Sequence, residues 1–158
     1  MHGADIRIVP YLPAYKDQVL NLLRLNTPRY FDPSEEADLA YYLDHERELY
    51  YVVQAGTEIV GCGGINFANE GVTGKISWDI LHPDYQGRSI GTQLLAFRIQ
   101  QLESMGHIRE IVVRTSQHAY RFYEKRGFRL DHSVQDYWAS GIHLYYMILA
   151  HRPSSGVK

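Results

Sequence analysis

A seven-residue segment with two glycines and one basic side chain could bind an anion. It lies between a strand pattern and a helix pattern, and its residues are Gln86, Gly87, Arg88, Ser89, Ile90, Gly91 and Thr92. The first N–H groups of a helix lack acceptors and the helix dipole favours negative charge, so together with Arg88 they would suit a phosphate or pyrophosphate. The alternative is a tight turn that needs glycine for positive φ and binds nothing. The dinucleotide pattern G-x-G-x-x-G and the P-loop pattern G-x-x-x-x-G-K-[ST] are both missing, which disfavours NAD and ATP.

The same segment also matches a hydrolase pattern. The residues from Gly87 to Gly91 read G-x-S-x-G, the nucleophile elbow of serine hydrolases. An elbow serine follows its strand directly, whereas residues 82–86 intervene here between the strand and the loop. An acid and a histidine follow in the required order, for example Asp136 and His143, but eight histidines make such an order easy to find. A serine hydrolase is therefore a disfavoured alternative.

Two motifs resemble those of the GNAT superfamily of N-acetyltransferases, and the resemblance covers about residues 5–149. The pyrophosphate loop of that family, Q/R-x-x-G-x-G/A, falls on Gln86, Ser89 and Gly91, so that Ser89 replaces the first glycine. The second motif, A-x-x-x-Y-x-x-x-G-F, is intact, and its defined positions are Ala119, Tyr123, Gly127 and Phe128. Ser116 stands where family members often have Asn. The resemblance implies an acyl-CoA N-acyltransferase fold and acetyl-CoA as the cosubstrate.

Acetyl transfer from a thioester to an amine needs a group that polarises the carbonyl, an acceptor for the amine proton and an acid for the departing thiolate. The resemblance implies that Tyr123 is the acid, although the helix pattern alone would favour a packed core ring. Asp79 is the only acid on its strand and is the candidate proton acceptor, with a solvated or ion-paired residue as the alternative. A backbone N–H near Ile80 or Leu81 is the expected polariser. The expected acetyl-CoA contacts are Ile80, Leu81, Gln86, Gly87, Arg88, Ser89, Ile90, Gly91, Thr92, Ser116, Ala119 and Tyr123.

Aromatic residues occur in the two regions that border the amine site in the family. The candidate acceptor-binding residues are Tyr30, Phe31, Tyr42, Asp136, Tyr137 and Trp138. An aromatic cleft with one or two acids would suit a small cationic amine. Core packing is the alternative, because thirteen tyrosines and two tryptophans must mostly be buried.

The elements that must position these residues follow from hydrophobic periodicity. Strands are predicted at residues 6–9, 49–54, 59–66, 74–81, 108–114, 128–135 and 142–149. Helices are predicted around residues 15–23, from an Asp32 cap and Pro33 to Leu43, along the face of Leu95, Ile99 and Leu102, and at 115–126. The order predicts an α+β fold with a central mixed, mostly antiparallel sheet of six or seven strands, flanked by about four helices.

Composition limits the class of protein. The chain has 158 residues, of which 45% are hydrophobic, and we expect one domain over residues 1–152 and a flexible tail over 153–158. A net charge of −2 favours neither nucleic acid nor an anionic membrane as partner. The single Cys62 reads as a small core residue, and no metal-binding pattern is present, so no metal is expected. Without a signal-like or membrane-spanning stretch, we expect a cytoplasmic protein.

These features together predict an acetyl-CoA-dependent N-acetyltransferase that acts directly on a primary amine of a small molecule. Two alternatives stay open beside the hydrolase. One is a protein N-terminal acetyltransferase of the ribosomal-protein type, because Tyr137 and Trp138 before Gly141 resemble such members. The other is a CoA-binding sensor without turnover. A homodimer is compatible with the sequence.

Overall fold

The computed structural model describes residues 5–150, and this part of the chain contains seven strands and four α-helices. In chain order they are β1 (Ile6–Pro10), α1 (Lys16–Leu25), α2 (Glu35–Tyr41), β2 (Leu49–Ala55), β3 (Glu58–Ala68), β4 (Thr73–Leu81), α3 (Ile90–Glu103), β5 (Glu110–Thr115), α4 (Tyr120–Glu124), β6 (Arg129–Ala139) and β7 (Ile142–Ala150). The sheet has the order β1-β2-β3-β4-β5-β7-β6. Strands β4 and β5 pair in parallel, whereas β1–β2, β2–β3, β5–β7 and β6–β7 are antiparallel. The predicted α+β fold with a mixed sheet is confirmed, with seven strands.

The chain forms two compact units. The first contains the described residues up to Ile65 together with Trp78–Arg98, and the second contains Asn66–Ser77 and the described residues from Ile99 onward. The single domain expected over residues 1–152 stays a prediction. The tail expected at residues 153–158 lies outside the described residues.

The core of the first unit follows the alternation of β2 and β3. Val52 and Cys62 pack in one cluster with the apolar stripe of α1, whereas Val53 and Val60 pack in another with the start of α3. Successive strand residues point to opposite faces, so Val52 and Val53 can serve helices on both sides. Val60 and Cys62 are two residues apart and still face different clusters, because the register shifts between Val53, which pairs with Gly61, and Gln54, which pairs with Ile59. The α1 stripe consists of Val19, Leu20, Leu22 and Leu23, all buried. This periodicity explains why α1, β2 and β3 could be predicted.

Two helices differ from their predicted bounds. Helix α2 begins at Glu35 and not at Pro33. The capping contact expected from the sequence is nevertheless present, and in it Asp32 N–H donates to Glu35 Oε2 at 2.8 Å. Helix α2 continues into a π-helical segment, Tyr42–Glu46. Helix α4 has five residues in place of the predicted twelve, since the Ser116 carbonyl accepts from the N–H groups of Ala119 and Tyr120 and forms a turn first.

Candidate active site

The loop between β4 and α3 is anchored at its start by two hydrogen bonds. His82 N–H donates to Val60 O at 2.8 Å, and Asp84 N–H donates to the His82 Nδ1 at 3.1 Å. The Arg88 guanidinium lies 4.9 Å from the centre of the Tyr85 ring. Residues 86–89 are exposed. The loop therefore presents a cation and exposed backbone beside the start of a helix.

The backbone of this loop is left-handed at two positions. Gly87 has φ +82° and Ser89 has φ +66°. A side chain at residue 87 would meet no atom within 4 Å, so the backbone conformation and not space explains the glycine. For a non-glycine residue such as Ser89 this conformation costs about 1–2 kcal/mol. The departure of Ser89 from the family pattern thus keeps the conformation that glycine would adopt easily.

The start of α3 offers backbone donors. Gln93 N–H donates to Ser89 O at 2.9 Å, so the N–H groups of Ile90 and Gly91 precede this first helical bond. Together with Arg88 and the exposed backbone of residues 86–89, they form a set of donors that fits a pyrophosphate. These are six of the residues expected to contact acetyl-CoA, and they belong to one continuous segment that ends at the seventh, Thr92.

The preceding strand is strained at Trp78, whose φ is +50°. A bulky residue rarely adopts this conformation, which costs about 1–3 kcal/mol and is concentrated at functional sites. The Tyr50 hydroxyl donates to Trp78 O at 2.9 Å. The register between β4 and β5 pairs Thr73 through Ile76, and β4 continues for five residues beyond the last pair, through Trp78 and Asp79 to Leu81.

Asp79, the predicted proton acceptor, forms an ion pair. Its Oδ1 lies 2.5 Å from Arg98 Nη1, and the side chains are 20% and 0% exposed respectively. Arg98 Nη1 also donates to Gly64 O at 3.1 Å, and its Nε donates to Leu94 O at 3.2 Å. The ion-paired alternative from the sequence is therefore present in the structure, while a role in proton transfer stays a prediction.

Aromatic rings of the first unit gather around Trp78. The Phe31 ring stacks on Trp78 with 6.4 Å between centroids, and Tyr42 lies 6.2 Å from it. Phe31 and Trp78 are partly exposed, whereas Tyr42 is buried. Two predicted acceptor residues thus meet a third ring that was not among the candidates. Tyr30 instead lies beneath the Arg29 guanidinium, at 5.0 Å.

Asn26 connects the segment that contains Tyr30 and Phe31 to the end of β4 through hydrogen bonds. Its Nδ2 donates to Leu22 O at 2.8 Å and to Leu81 O at 3.0 Å. Its backbone carbonyl accepts from the N–H groups of Tyr30 and Phe31 at 2.9 and 3.2 Å. The side chain is buried, so these contacts replace hydration. Asn26 was not predicted from the sequence, because nothing local indicates the partner 55 residues away.

In the second unit, the residues of the second motif shape the end of α4. Tyr123 is 4% exposed, and its ring packs edge-on against Phe122 and Phe128 at 5.0 and 5.7 Å. Gly127 has φ +98°, and Phe128 N–H donates to Tyr123 O at 3.2 Å. The buried Ser116 forms the turn that leads to Ala119. These contacts account for the motif as packing, and the role of Tyr123 as an acid stays a prediction.

The three candidates near the last hairpin make contacts within the second unit. Asp136 Oδ1 accepts from Gly141 N–H at 2.7 Å, and Trp138 Nε1 donates to Thr115 O at 3.1 Å. Arg114 donates to the Tyr137 hydroxyl, and its guanidinium lies 5.1 and 5.5 Å from the Tyr137 and Trp138 rings. These polar groups thus stabilise the hairpin, and contact with an acceptor stays a prediction.

Burial raises the pKa of several titratable groups of the first unit, including Glu35, Tyr50 and Cys62. For the Glu35 carboxyl, the hydrogen bond that it accepts from Asp32 N–H lowers the pKa and offsets part of this effect. Burial raises the pKa of the Tyr50 hydroxyl well above its ordinary value, and that of the Cys62 thiol to about 12. The thiol is therefore neutral near pH 7 and unsuited to nucleophilic attack, in keeping with the core position expected for Cys62.

Arg98 could have been suspected from the sequence. It follows Leu94 and Leu95 at helical spacing, on the face that α3 buries. A charge on an apolar stripe is almost never fully buried unless it is paired. This signal predicts a carboxylate partner without saying which one.

Within residues 5–150, no group of three or more His, Cys, Asp or Glu side chains could hold a metal ion. None of the helices in the same range combines the length and apolar character of a membrane span.

Comparison with known proteins identifies the family. The model of the acetyltransferase (GNAT) family matches residues 17–128. Comparison with curated proteins gives no sequence match.

Among solved structures, the ribosomal-protein-S18-alanine N-acetyltransferase from Escherichia coli has a TM-score of 0.78 and 16% identity, covering 98% of this chain and 99% of its own. An aminoglycoside 6′-N-acetyltransferase complexed with coenzyme A has a TM-score of 0.75 and 18% identity, with 94% and 99% covered. A GNAT-family acetyltransferase from Streptococcus pneumoniae has a TM-score of 0.71 and 19% identity, with 94% and 100% covered. At these identities the structures show a shared fold, and the family match, which spans well over half of the chain, shows that this protein belongs to the GNAT family of acetyl-CoA-dependent acetyltransferases.

Proposed function

We propose that the protein transfers the acetyl group of acetyl-CoA directly to a primary amine of a small molecule. The observation that supports this most is the exposed loop 86–89, in which Gly87 and Ser89 adopt positive φ just before α3. This geometry suits a pyrophosphate. Residues 86–92 would hold that group, and the backbone of Ile80 and Leu81, with Ser116, Ala119 and Tyr123, would hold the rest of the cosubstrate.

The proposed chemistry is a direct displacement in which acetyl-CoA supplies an activated acyl group as a thioester. Backbone N–H groups of Ile80 or Leu81 stabilise negative charge on the carbonyl oxygen. The amine nitrogen forms the new C–N bond and loses one proton, for which there are two candidate acceptors, the Asp79 carboxylate expected from the sequence and water. The Tyr123 hydroxyl donates a proton to the sulfur as the C–S bond breaks. The products are the acetylated amine and CoA.

For the acceptor we propose a cationic amine that binds beside aromatic rings. In the first unit, Phe31 and Trp78 are partly exposed and stacked, which offers a face to a cation. The other acceptor-binding residues expected from the sequence are Tyr30 and Tyr42 in the first unit and, taken separately, Asp136, Tyr137 and Trp138 in the second. An N-terminal peptide is the second candidate acceptor, favoured by the likeness in fold to the ribosomal-protein-S18-alanine N-acetyltransferase.

A panel of acceptors tests this proposal. Polyamines, amino acids, aminoglycosides and N-terminal peptides are each incubated with acetyl-CoA and the purified protein, and release of CoA thiol is recorded. We expect at least one small amine to raise the release at least tenfold above the rate without acceptor. Release with N-terminal peptides alone would favour the second candidate, and release unaffected by every amine would contradict both.

Substitution of Ser89 separates acetyl transfer from the serine hydrolase. If Ser89 only supplies a left-handed turn, its hydroxyl does no covalent chemistry, so Ser89→Ala should retain most of kcat. Ser89→Gly should bind acetyl-CoA as well or slightly better, because glycine adopts φ +66° without strain. Kinetics and binding titrations check both.

A nucleophilic serine would give the opposite result. Loss of its oxygen would then cost several orders of magnitude in kcat, and a fluorophosphonate probe would add its mass to the protein at Ser89. Labelling together with an inactive Ser89→Ala variant would overturn the acetyltransferase mechanism. An unlabelled protein that releases CoA with amines would leave the G-x-S-x-G match without chemical meaning.

Three further features stay proposals. We expect the protein in the cytoplasm, on the grounds of its composition. We expect neither nucleic acid nor membrane as partner, because the net charge is −2. A homodimer is compatible with the fold and is tested by its mass in solution.

A further inference from the structure

The strained residue Trp78 is held from one side by a buried hydrogen bond. The Tyr50 hydroxyl donates to Trp78 O at 2.9 Å, and Tyr50 is 4% exposed. The carbonyl of the residue with φ +50° thus has a buried partner within the protein.

The next residue is held from the side of α3. Asp79 pairs with the fully buried Arg98, which also donates to Gly64 O and Leu94 O. The Asp79 oxygen that faces α3 is thus already an acceptor for a guanidinium, and the contact connects α3 to β4. A carboxylate held in this way is suited to positioning the strand.

Two glycines of β3 make room for both supports. A Cβ on Gly63 would lie 2.4 Å from Asp79 Oδ1 and 2.8 Å from Arg98 Nη1. A Cβ on Gly64 would lie 2.4 Å from Tyr50 Cδ1 and 2.7 Å from Leu49 O. Real Cβ atoms do not approach so closely. The absence of side chains at these adjacent positions lets the ion pair and the Tyr50 ring reach β4 together.

We propose that Tyr50 and the Arg98–Asp79 ion pair hold the Trp78–Asp79 step of β4 in its strained conformation, and that Asp79 is a positioning residue, so that the amine proton passes to water and not to Asp79. The inference rests on the proposed function, in which the N–H groups of Ile80 or Leu81 polarise the thioester. The N–H groups of Ile80 and Leu81 follow Trp78 and Asp79 directly in the chain, so the backbone conformation of Trp78 and Asp79 determines where these N–H groups point. Arg98 lies two helical turns into α3, whose start belongs to the proposed pyrophosphate site, and it links that helix to the reacting strand.

Removal of one hydroxyl tests the first support. Tyr50→Phe keeps the ring and deletes the bond to Trp78 O, and we expect it to lower kcat about tenfold with KM for acetyl-CoA within about twofold, since loss of positioning acts mainly on the transition state. Tyr11→Phe is the matched control, because Tyr11 is also buried in this cluster, with its ring 5.8 Å from that of Tyr50. It should leave kcat unchanged. Equal kcat in both variants and the wild type would overturn the role of Tyr50.

Neutral replacement of the ion pair tests the second support. Arg98→Met combined with Asp79→Asn removes both charges, so that neither is left buried alone. We expect lower kcat with the acidic limb of the pH profile of kcat/KM in its wild-type place. Arg98→Lys, which retains an ion pair, should recover part of the rate lost in Arg98→Met. Disappearance of the acidic limb would show that Asp79 takes the proton and would overturn the positioning role.

Amide hydrogen exchange gives a readout that needs no turnover. Exchange at residues 78–81 should be faster in Tyr50→Phe than in the wild type and unchanged in Tyr11→Phe. If no amine supports turnover in the wild type, the proposed function fails, while this measurement still tests whether Tyr50 holds β4. Unchanged exchange in Tyr50→Phe would overturn the inference even if the double variant does not fold.

Discussion

Tyr123→Phe is expected to lower the rate of acetyl transfer about tenfold to a thousandfold, the usual contribution of a general acid. The substitution removes only the phenolic hydrogen-bonding group and keeps the ring, which packs against Phe122 and Phe128. The Kd for acetyl-CoA should be nearly unchanged, because a proton given to the leaving thiolate matters in the transition state and hardly in the ground state. Thermal unfolding should shift little, since no cavity is created.

Single-turnover kinetics make this test decisive. With enzyme in excess over acetyl-CoA, the observed rate reports the acyl transfer itself even where product release limits kcat. Tyr120→Phe is the matched control, since Tyr120 lies in the same helix with its ring on Tyr145, at 4.8 Å. The control should react at the wild-type rate. A Tyr123→Phe variant equally fast in single turnover would exclude Tyr123 as the acid.

The parts of the fold that could be predicted are those with local causes. Apolar residues at helical spacing in α1 and alternating ones in β2 and β3 lead to the observed core. The turn between these strands contains Gly56 at φ +63°, as a tight hairpin requires. The length of α4 could not be read in the same way, because the backbone of Ser116 forms a turn where the side-chain pattern continues as a helix.

The same distinction between local and distant causes applies to the candidate site. The left-handed turn at Gly87 and Ser89 has a local cause and was indicated by the glycine pattern, whereas the partner of Asp79 lies 19 residues away in α3. A single acid on a strand is compatible with proton transfer, solvation or pairing, and only the contact with Arg98 distinguishes them. Asn26 is a similar case, since its partners in β4 come from the packing of distant elements.

The ribose phosphate and pyrophosphate part of the cosubstrate should dominate its affinity. Pantetheine lacks these groups, and we expect it to bind about a hundredfold or more weakly than CoA in a titration, because two hydrogen bonds to charged groups at about 1.5–3 kcal/mol each suffice for that ratio. The donors proposed are the amides of Ile90 and Gly91 and the exposed Arg88. Because Arg88 is exposed, added salt should reduce the difference in affinity between CoA and pantetheine.

Analogues and variants locate this binding energy in the loop. 3′-Dephospho-CoA retains the pyrophosphate, so it should bind much closer to CoA than to pantetheine if the loop at residues 86–92 is the main contact. Arg88→Ala should weaken CoA binding several-fold and leave pantetheine unaffected, whereas Arg7→Ala, which changes an exposed arginine of β1, should alter neither. Gly87→Ala should weaken CoA binding as well, since an alanine at φ +82° strains the turn that presents the amides. Equal affinities for CoA and pantetheine would mean that the loop does not bind phosphate. Its glycines would then serve only to form a tight turn, which is the alternative interpretation of the sequence.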